Sequence, residues 1–113
     1  SLTPYALSSL AWSLAKLGVR DGEILCAIAE EAVRKSGAFK AHNWSDLAWA
    51  FATLAIVDRK LTSMIVENFI IRQTDFNPQQ ISNIAWAFAV LGVRDQRLFH
   101  VIAKVAMTQL QGF

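Results

Sequence analysis

A 37-residue internal repeat limits the folds that this chain can adopt. Trp12, Trp49 and Trp86 lie 37 residues apart in both steps, within the similar tracts LAWSLAKL, LAWAFATL and IAWAFAVL. The same spacing aligns three aspartates and three isoleucines, which are Asp21, Asp58, Asp95, Ile28, Ile65 and Ile102. Repeats of this length are typical of stacked helical units, in which each unit buries its apolar face against the next.

The first half of each repeat predicts a helix. Thr3 and Asn77 are suitable N-cap residues, and each precedes a proline, which is tolerated at the first helical position. Apolar residues then recur at helical spacing. Gly18 and Gly92 follow the last of them, where a left-handed C-terminal cap is favoured. The middle repeat departs from the pattern at both ends, with Lys40–Ala41 and Ala55.

The second half of each repeat predicts another helix, which begins at the aligned aspartate. Aspartate there can accept from a free backbone N–H and interacts favourably with the helix dipole. A link of about three residues makes the two helices antiparallel neighbours. We therefore predict an all-α fold, an α-solenoid of three antiparallel helix-pair repeats with a 37-residue period. It forms one unit, 1–113, with repeats at about 2–38, 39–75 and 76–112.

The apolar composition suggests that this unit contacts more protein. Of the 113 residues 54% are hydrophobic, and the mean hydropathy is +0.33. Terminal repeats normally present a polar outer face, and neither end of this sequence does. Phe113 aligns with Phe39 and Phe76 as the first landmark of a fourth copy. We expect further repeats of the same parent chain as partners.

Several function classes find no support in the residues. Cys26 is the single cysteine, which excludes an internal disulfide framework, and we expect it to be packed or half-buried. His42 and His100 lie on different predicted helices, so we expect no metal site, no cofactor and no enzyme active site. No apolar run reaches about 18 residues, so no membrane partner is expected. No targeting segment is visible, although the sequence begins without Met.

The first-helix tracts resemble a known repeat family. NPQQISNIAWAFAVLG, from Asn77 to Gly92, and LSSLAWSLAKLG, from Leu7 to Gly18, are similar to the octotricopeptide repeat. That repeat has a Pro-Gln start, a Leu-Ala-Asn-like step and a Trp-Ala-Leu-Ala-x-Leu-Gly end. The resemblance covers essentially the whole chain, and the third copy matches best.

The resemblance implies a function in a mitochondrion or a chloroplast. Its members are helical-repeat proteins that bind organellar RNA and support transcript stability, processing or translation. Sequence-selective binding of single-stranded RNA is therefore the expected function. The alternative is a protein-binding or structural scaffold, such as an accessory subunit of an organellar ribosome, with ribosomal RNA or proteins as partners.

Variable polar positions are the candidate RNA contacts, because readers must differ between copies whereas scaffold positions need not. Ser9, Asp46 and Asn83 are equivalent, and their donor and acceptor groups differ. One turn earlier on the same face is a second equivalent set, and further candidates flank this face or lie two turns later. These additional candidates are Tyr5, His42, Gln79, Asn43, Gln80 and Lys16.

The unchanging tryptophans allow two interpretations. They could stack on bases, but we expect them mainly to pack one hairpin onto the next. The basic residues are equally ambiguous, because the formal net charge is only +2. They could neutralise RNA phosphates or pair with acidic residues on the surface. This group comprises Lys16, Arg20, Arg34, Lys35, Arg72 and Arg94.

Overall fold

The computed structural model describes residues 2–111 and is all-α over that range, with no strand. Phe113, the expected landmark of a fourth copy, lies outside the described residues. Two short 3-10 turns, Ser36–Ala38 and Gln73–Asp75, precede the third and fifth α-helices. The six α-helices are α1 (Pro4–Leu17), α2 (Gly22–Arg34), α3 (Ala41–Thr53), α4 (Arg59–Ile71), α5 (Pro78–Leu91) and α6 (Gln96–Gln111).

The helix starts follow the predicted caps. Thr3 Oγ1 accepts from the Ala6 N–H at 3.1 Å, and Asn77 Oδ1 accepts from the Gln80 N–H at 2.8 Å. Lys40 supplies no such side-chain cap to α3. The even helices begin at three aspartates that each accept a backbone N–H bond, at 3.0 to 3.1 Å; these are Asp21, Asp58 and Asp95.

The ends of the odd helices share one backbone conformation. Gly18 and Gly92 have φ values of 70° and 69°, in the left-handed region. Ala55 occupies the equivalent place after α3 with φ of 57°, although alanine rarely adopts it. Sequence spacing therefore specified this turn even where the glycine is missing.

The helices form two layers. In the odd layer α1 packs on α3 and α3 on α5, while in the even layer α2 packs on α4 and α4 on α6. The odd helices approach one another more closely than the even ones. Small buried residues permit that approach, namely Ser8, Ala11, Ala15, Ser45, Ala48 and Ala52.

Larger apolar side chains fill the space between the layers. Phe39, Trp44 and Phe69 are almost completely buried, and the Phe39 and Trp44 rings lie 4.5 Å apart. Apolar burial of this extent is the main stabilising contribution in a small domain.

The two ends of the array expose apolar residues whose equivalents are buried. Leu10 is 39% exposed, whereas Leu47 and Ile84 are 0% exposed. Phe99, near the other end, is 41% exposed, whereas its equivalent Leu25 is 0% exposed. Neighbouring helices cover the equivalent surfaces of the inner helices. None of the helices within residues 2–111 has the length and apolar character needed to cross a membrane.

Candidate functional site

The outward surface of the odd layer, which we call the odd face, carries an equivalent stripe of four residues on each helix. The four positions are spaced by four, three and four residues, so they lie on one side of a helix. None of the twelve side chains is fully buried. They are Tyr5, Ser9, Trp12 and Lys16 on α1; His42, Asp46, Trp49 and Thr53 on α3; and Gln79, Asn83, Trp86 and Val90 on α5.

The central reader candidates occupy the middle of these stripes. Ser9, Asp46 and Asn83 are each partly exposed, at equivalent places on helices that pack side by side. One turn earlier, the second equivalent set of Tyr5, His42 and Gln79 is exposed, and Tyr5 reaches 72%. Lys16 is exposed near the end of α1. Seven of the nine predicted RNA contacts therefore lie on the odd face.

The side chains of the other two candidates are hydrogen-bonded within the protein. Asn43 is only 3% exposed, and its Nδ2 donates to Ser8 Oγ at 3.2 Å while its Oδ1 accepts from the Lys40 N–H at 3.0 Å. Gln80 Oε1 accepts from the Asn77 N–H at 2.9 Å, which closes the start of α5. Both side chains thus accept a hydrogen bond from a backbone N–H at the start of a helix, and the Asn43 side chain also links α3 to α1.

A short hydrogen-bond chain fixes the reader candidates of α5. Gln79 Nε2 donates to Asn83 Oδ1 at 3.0 Å, and Asn83 Nδ2 donates to Ser45 Oγ on α3 at 3.3 Å. The second bond crosses the groove between two units. Preorganised amides of this kind can meet a base edge with little loss of side-chain entropy.

Asp46 places a carboxyl group in the middle of the odd face. Partial burial raises the pKa of Asp46, and the nearby His42 opposes that rise. The carboxylate can accept from an exocyclic amino group of a base, but it repels phosphate. Asp46 therefore favours a base edge over the RNA backbone as its neighbour.

The tryptophans are more exposed than a packing role requires. Trp12 and Trp86 are 43% and 46% exposed, and Trp49 is half-buried. The Trp12 and Trp49 ring centroids are 6.1 Å apart with a 33° tilt, so these rings do join two units. Because the tryptophans are the same in every repeat, the sequence indicated a packing role for them. The helical spacing of positions 5, 9, 12 and 16 could instead have placed Trp12 on the same side of α1 as the candidate RNA contacts.

Most of the basic candidates have partners within the protein. Arg34 pairs with Glu31 at 2.8 Å, and Lys35 with the same carboxylate at 3.4 Å. Arg20 donates to a main-chain carbonyl of the next unit. Arg72 donates to a main-chain carbonyl of its own unit. These direct contacts thus support the interpretation that the basic residues have surface or structural partners within the protein.

One basic groove opens at the edge of the odd face, where α3 and α5 begin. It has a volume of about 500 Å³ and is lined by Lys40, Ala41, His42, Arg72, Asp75 and Gln80. The groove adjoins His42, whose side chain belongs to the α3 stripe. It is therefore a basic depression that continues the odd face.

Cys26 contradicts the expectation of a packed thiol. It is exposed, with Sγ 3.7 Å from Glu30 Oε1, and the Glu30 charge raises the pKa of the thiol. A raised thiol pKa lowers the thiolate fraction, and with it the reactivity. Within residues 2–111 no group of three or more metal-ligating side chains comes together.

Comparison with known protein families gives a match over almost the whole chain. A model of the family described as RNA-editing substrate-binding complex 6 protein matches residues 3–113. No curated protein matches the chain. The match overturns the octotricopeptide assignment, because it is to a different family.

The family assignment supports the RNA-related part of the expected function and the mitochondrial part of the expected location. It gives no support to a chloroplast location, ribosomal RNA or ribosomal proteins. The similar tryptophan tracts misled because short helical-repeat patterns recur in unrelated families. Since the match spans nearly the whole sequence, this chain belongs to the family of RNA-editing substrate-binding complex 6 proteins.

Proposed function

We propose that this chain binds single-stranded RNA across the odd face, as a substrate-binding part of an RNA-editing complex in a mitochondrial-type organelle. The observation that carries the proposal is the equivalent stripe of polar and aromatic side chains on three adjacent helices. Membership of a family named for RNA-editing substrate binding supports the same ligand. The proposal includes binding only, with no catalytic step.

We further propose that the helices form an α-solenoid with a 37-residue period. The odd helices begin at Pro4, Ala41 and Pro78, and the even helices begin at Gly22, Arg59 and Gln96, so both layers have the same spacing. Each unit contacts its neighbours in both layers. A solenoid would let one strand cross successive units in order.

The stripes offer different chemistry to successive bases. Ser9 presents a hydroxyl, Asp46 a carboxylate and Asn83 an amide, in equivalent places. Helical-repeat readers use two or three side chains for each base. Three units would then contact about three nucleotides, and an exposed tryptophan of the odd face would add sequence-tolerant stacking.

Electrostatics limits the strength of this binding. Each phosphate neutralised on a single strand adds about −0.7 to the slope of log affinity against log salt. Since Arg20, Arg34 and Lys35 already bond within the protein, these three cations are less available to the RNA backbone. We expect weak binding with a shallow salt slope, concentrated at Lys16 and the basic groove beside His42.

A binding assay with matched variants tests the proposal. Gln79 and Gln96 are both exposed glutamines, but Gln79 lies on the odd face and Gln96 begins α6. We expect Gln79→Ala to weaken binding to a randomised RNA pool by about 2–10-fold, because one hydrogen bond is lost. Gln96→Ala should bind as the unchanged protein does.

Two results would contradict RNA binding at the odd face. One is retention of RNA that does not change between 50 mM and 200 mM salt and selects no sequence. The other is an equal effect of the Gln79 and Gln96 substitutions.

A protein-binding scaffold is the second candidate function. The specific observation in its favour is the apolar character of the end faces, where Leu10, Ile24 and Phe99 are each about two-fifths exposed. Leu10→Glu should then abolish co-purification with other proteins of the complex while leaving RNA affinity unchanged. The reverse pattern would favour RNA binding on the odd face.

A further inference from the structure

The three tryptophans of the odd face are equivalent in sequence but differ in what covers them. Lys16 Nζ lies 5.1 Å from the Trp12 ring centroid and 5.5 Å from the Trp49 ring centroid. An ammonium at these distances is attracted to both ring faces. We call the place between neighbouring tryptophans on two odd helices a step. The step between α1 and α3 is therefore covered by the Lys16 side chain.

The step between α3 and α5 lacks this closure. Thr53 occupies the place of Lys16 on α3, and Val90 occupies it on α5. Among the described residues no cation lies over the Trp86 ring, which makes no aromatic pair comparable to that of Trp12 with Trp49. Trp86 is 46% exposed and Trp12 is 43% exposed, so within the described part of the chain what sets Trp86 apart is the absence of a covering cation rather than a larger exposed area.

The side chains around Trp86 favour a nucleobase as the occupant. Gln79 and Asn83, on the same stripe, are already ordered by their mutual hydrogen bond and by the bond to Ser45. A base that stacks on an indole presents its polar edge beyond the ring, where an amide can donate and accept. The basic groove with Lys40 and Arg72 lies at the start of the same pair of helices, where a phosphate would be attracted.

We propose that one nucleobase of the bound RNA stacks on Trp86, at the step between α3 and α5, and that the Lys16-covered step between α1 and α3 does not stack a base. This inference rests on the proposed RNA-binding function and specifies where on the odd face a base would stack. An amide can pair with the edge of every base, so stacking strength should set the preference at this place.

Substitutions at the two equivalent tryptophans test the location. We expect Trp86→Ala to weaken binding of short single-stranded RNA by at least about fivefold, the lower end of the effect of removing one stacked base. Trp12→Ala should change affinity less than twofold. Trp86→Phe should keep most of the affinity, because it retains a ring face.

Trp86→Leu separates stacking from packing, since leucine keeps apolar bulk without a ring face. It should bind as weakly as Trp86→Ala, with an unchanged helical circular dichroism spectrum and a similar thermal midpoint. Wild-type affinity in Trp86→Leu, or equal losses from the Trp12 and Trp86 alanine variants, would overturn the inference. If the wild-type protein bound no RNA, the proposed function itself would fail.

A lysine variant adds an independent readout. Removing the cation in Lys16→Met should open the first step, so that Trp12 and Trp49 also become available to a base. We then expect RNA to quench a larger share of the tryptophan fluorescence in Lys16→Met than in the wild-type protein. An identical quenched share in both proteins would show that Lys16 does not close that step.

Discussion

Arg20 Nε donates a hydrogen bond to the carbonyl oxygen of Leu54 at 2.9 Å, which ties the loop after α1 to the end of α3. Arg20 Nη2 also reaches the Ala55 carbonyl oxygen at 3.4 Å. Carbonyls at a helix end have no partner within the helix. The arginine of one unit thus satisfies the end of the next unit at the one turn that lacks glycine.

Glycine at this turn should stabilise the protein. Ala55 holds a φ of 57°, which costs about 1–2 kcal/mol for a residue with a Cβ, and the greater unfolded-state entropy of glycine offsets part of the gain from relieving this strain. We expect Ala55→Gly to raise the free energy of unfolding by about 0.5 kcal/mol in urea titrations. The matched control is Gly18→Ala, which should lower it by about 1 kcal/mol.

The space around Gly18 makes that control clean. A Cβ at Gly18 would meet nothing within 4 Å, so any loss reports backbone conformation alone. A Gly18→Ala protein as stable as the wild type would show that the left-handed turn is not a source of strain here.

Loss of Arg20 should weaken the junction between the first two units. Arg20→Ala removes both carbonyl bonds, and we expect the free energy of unfolding to fall by about 1 kcal/mol. Arg94, the equivalent residue in the third unit, provides the control, because Arg94→Ala should change stability by less than about 0.5 kcal/mol. Equal losses in both variants would mean that the Leu54 contact contributes little.

Asn43 should prove structural rather than a direct RNA contact. Asn43→Ala leaves the Lys40 N–H without its side-chain acceptor and removes the buried bond to Ser8. We expect a loss of about 1–3 kcal/mol in the free energy of unfolding. At a temperature at which the Asn43→Ala protein is fully folded, its RNA affinity should match that of the wild type. A folded Asn43→Ala protein with altered base preference would contradict this assignment.

The Asp46 carboxyl should make stability depend on pH. Because burial raises its pKa, the native state holds the Asp46 proton to higher pH than the unfolded chain does. The stability contribution of this group therefore falls as pH rises from the ordinary carboxyl pKa through the native one. We expect Asp46→Asn to be more stable than the wild type at pH 7, with the difference shrinking as pH is lowered through the native pKa.

Urea unfolding of both proteins at pH 7, 5 and 4 measures this difference. A stability gap that stays constant across the three values would show that the carboxyl is not responsible.

Much of the fold followed from the sequence, because its determinants are local. Thr3, Asn77 and the aligned aspartates cap the helices that they were predicted to start. Ala55 was an exception to the glycine rule in the sequence, yet its turn has the same left-handed φ as Gly18 and Gly92. Local hydrogen bonds and backbone preferences act over a few residues, so spacing alone reveals them.

The site was less predictable, because exposure depends on how helices pack. The pattern aligned Asn43 with Ala6 and Gln80, but it could not show that Asn43 Nδ2 meets Ser8 on another helix. Nor could it show that Lys16 covers Trp49 as well as Trp12. Contacts between residues 33 or more positions apart need the packed layers, and Cys26 was misjudged for the same reason.

The unequal spacing of the two layers has a geometric consequence. The odd helices are in more extensive contact with one another than the even helices are, so the odd layer holds the side chains of its helices closer together. A ligand strand lying on the odd face would then pass from one helix to the next over a shorter distance than a strand lying on the even layer would. Under the proposed function, side chains of separate helices would therefore reach neighbouring nucleotides.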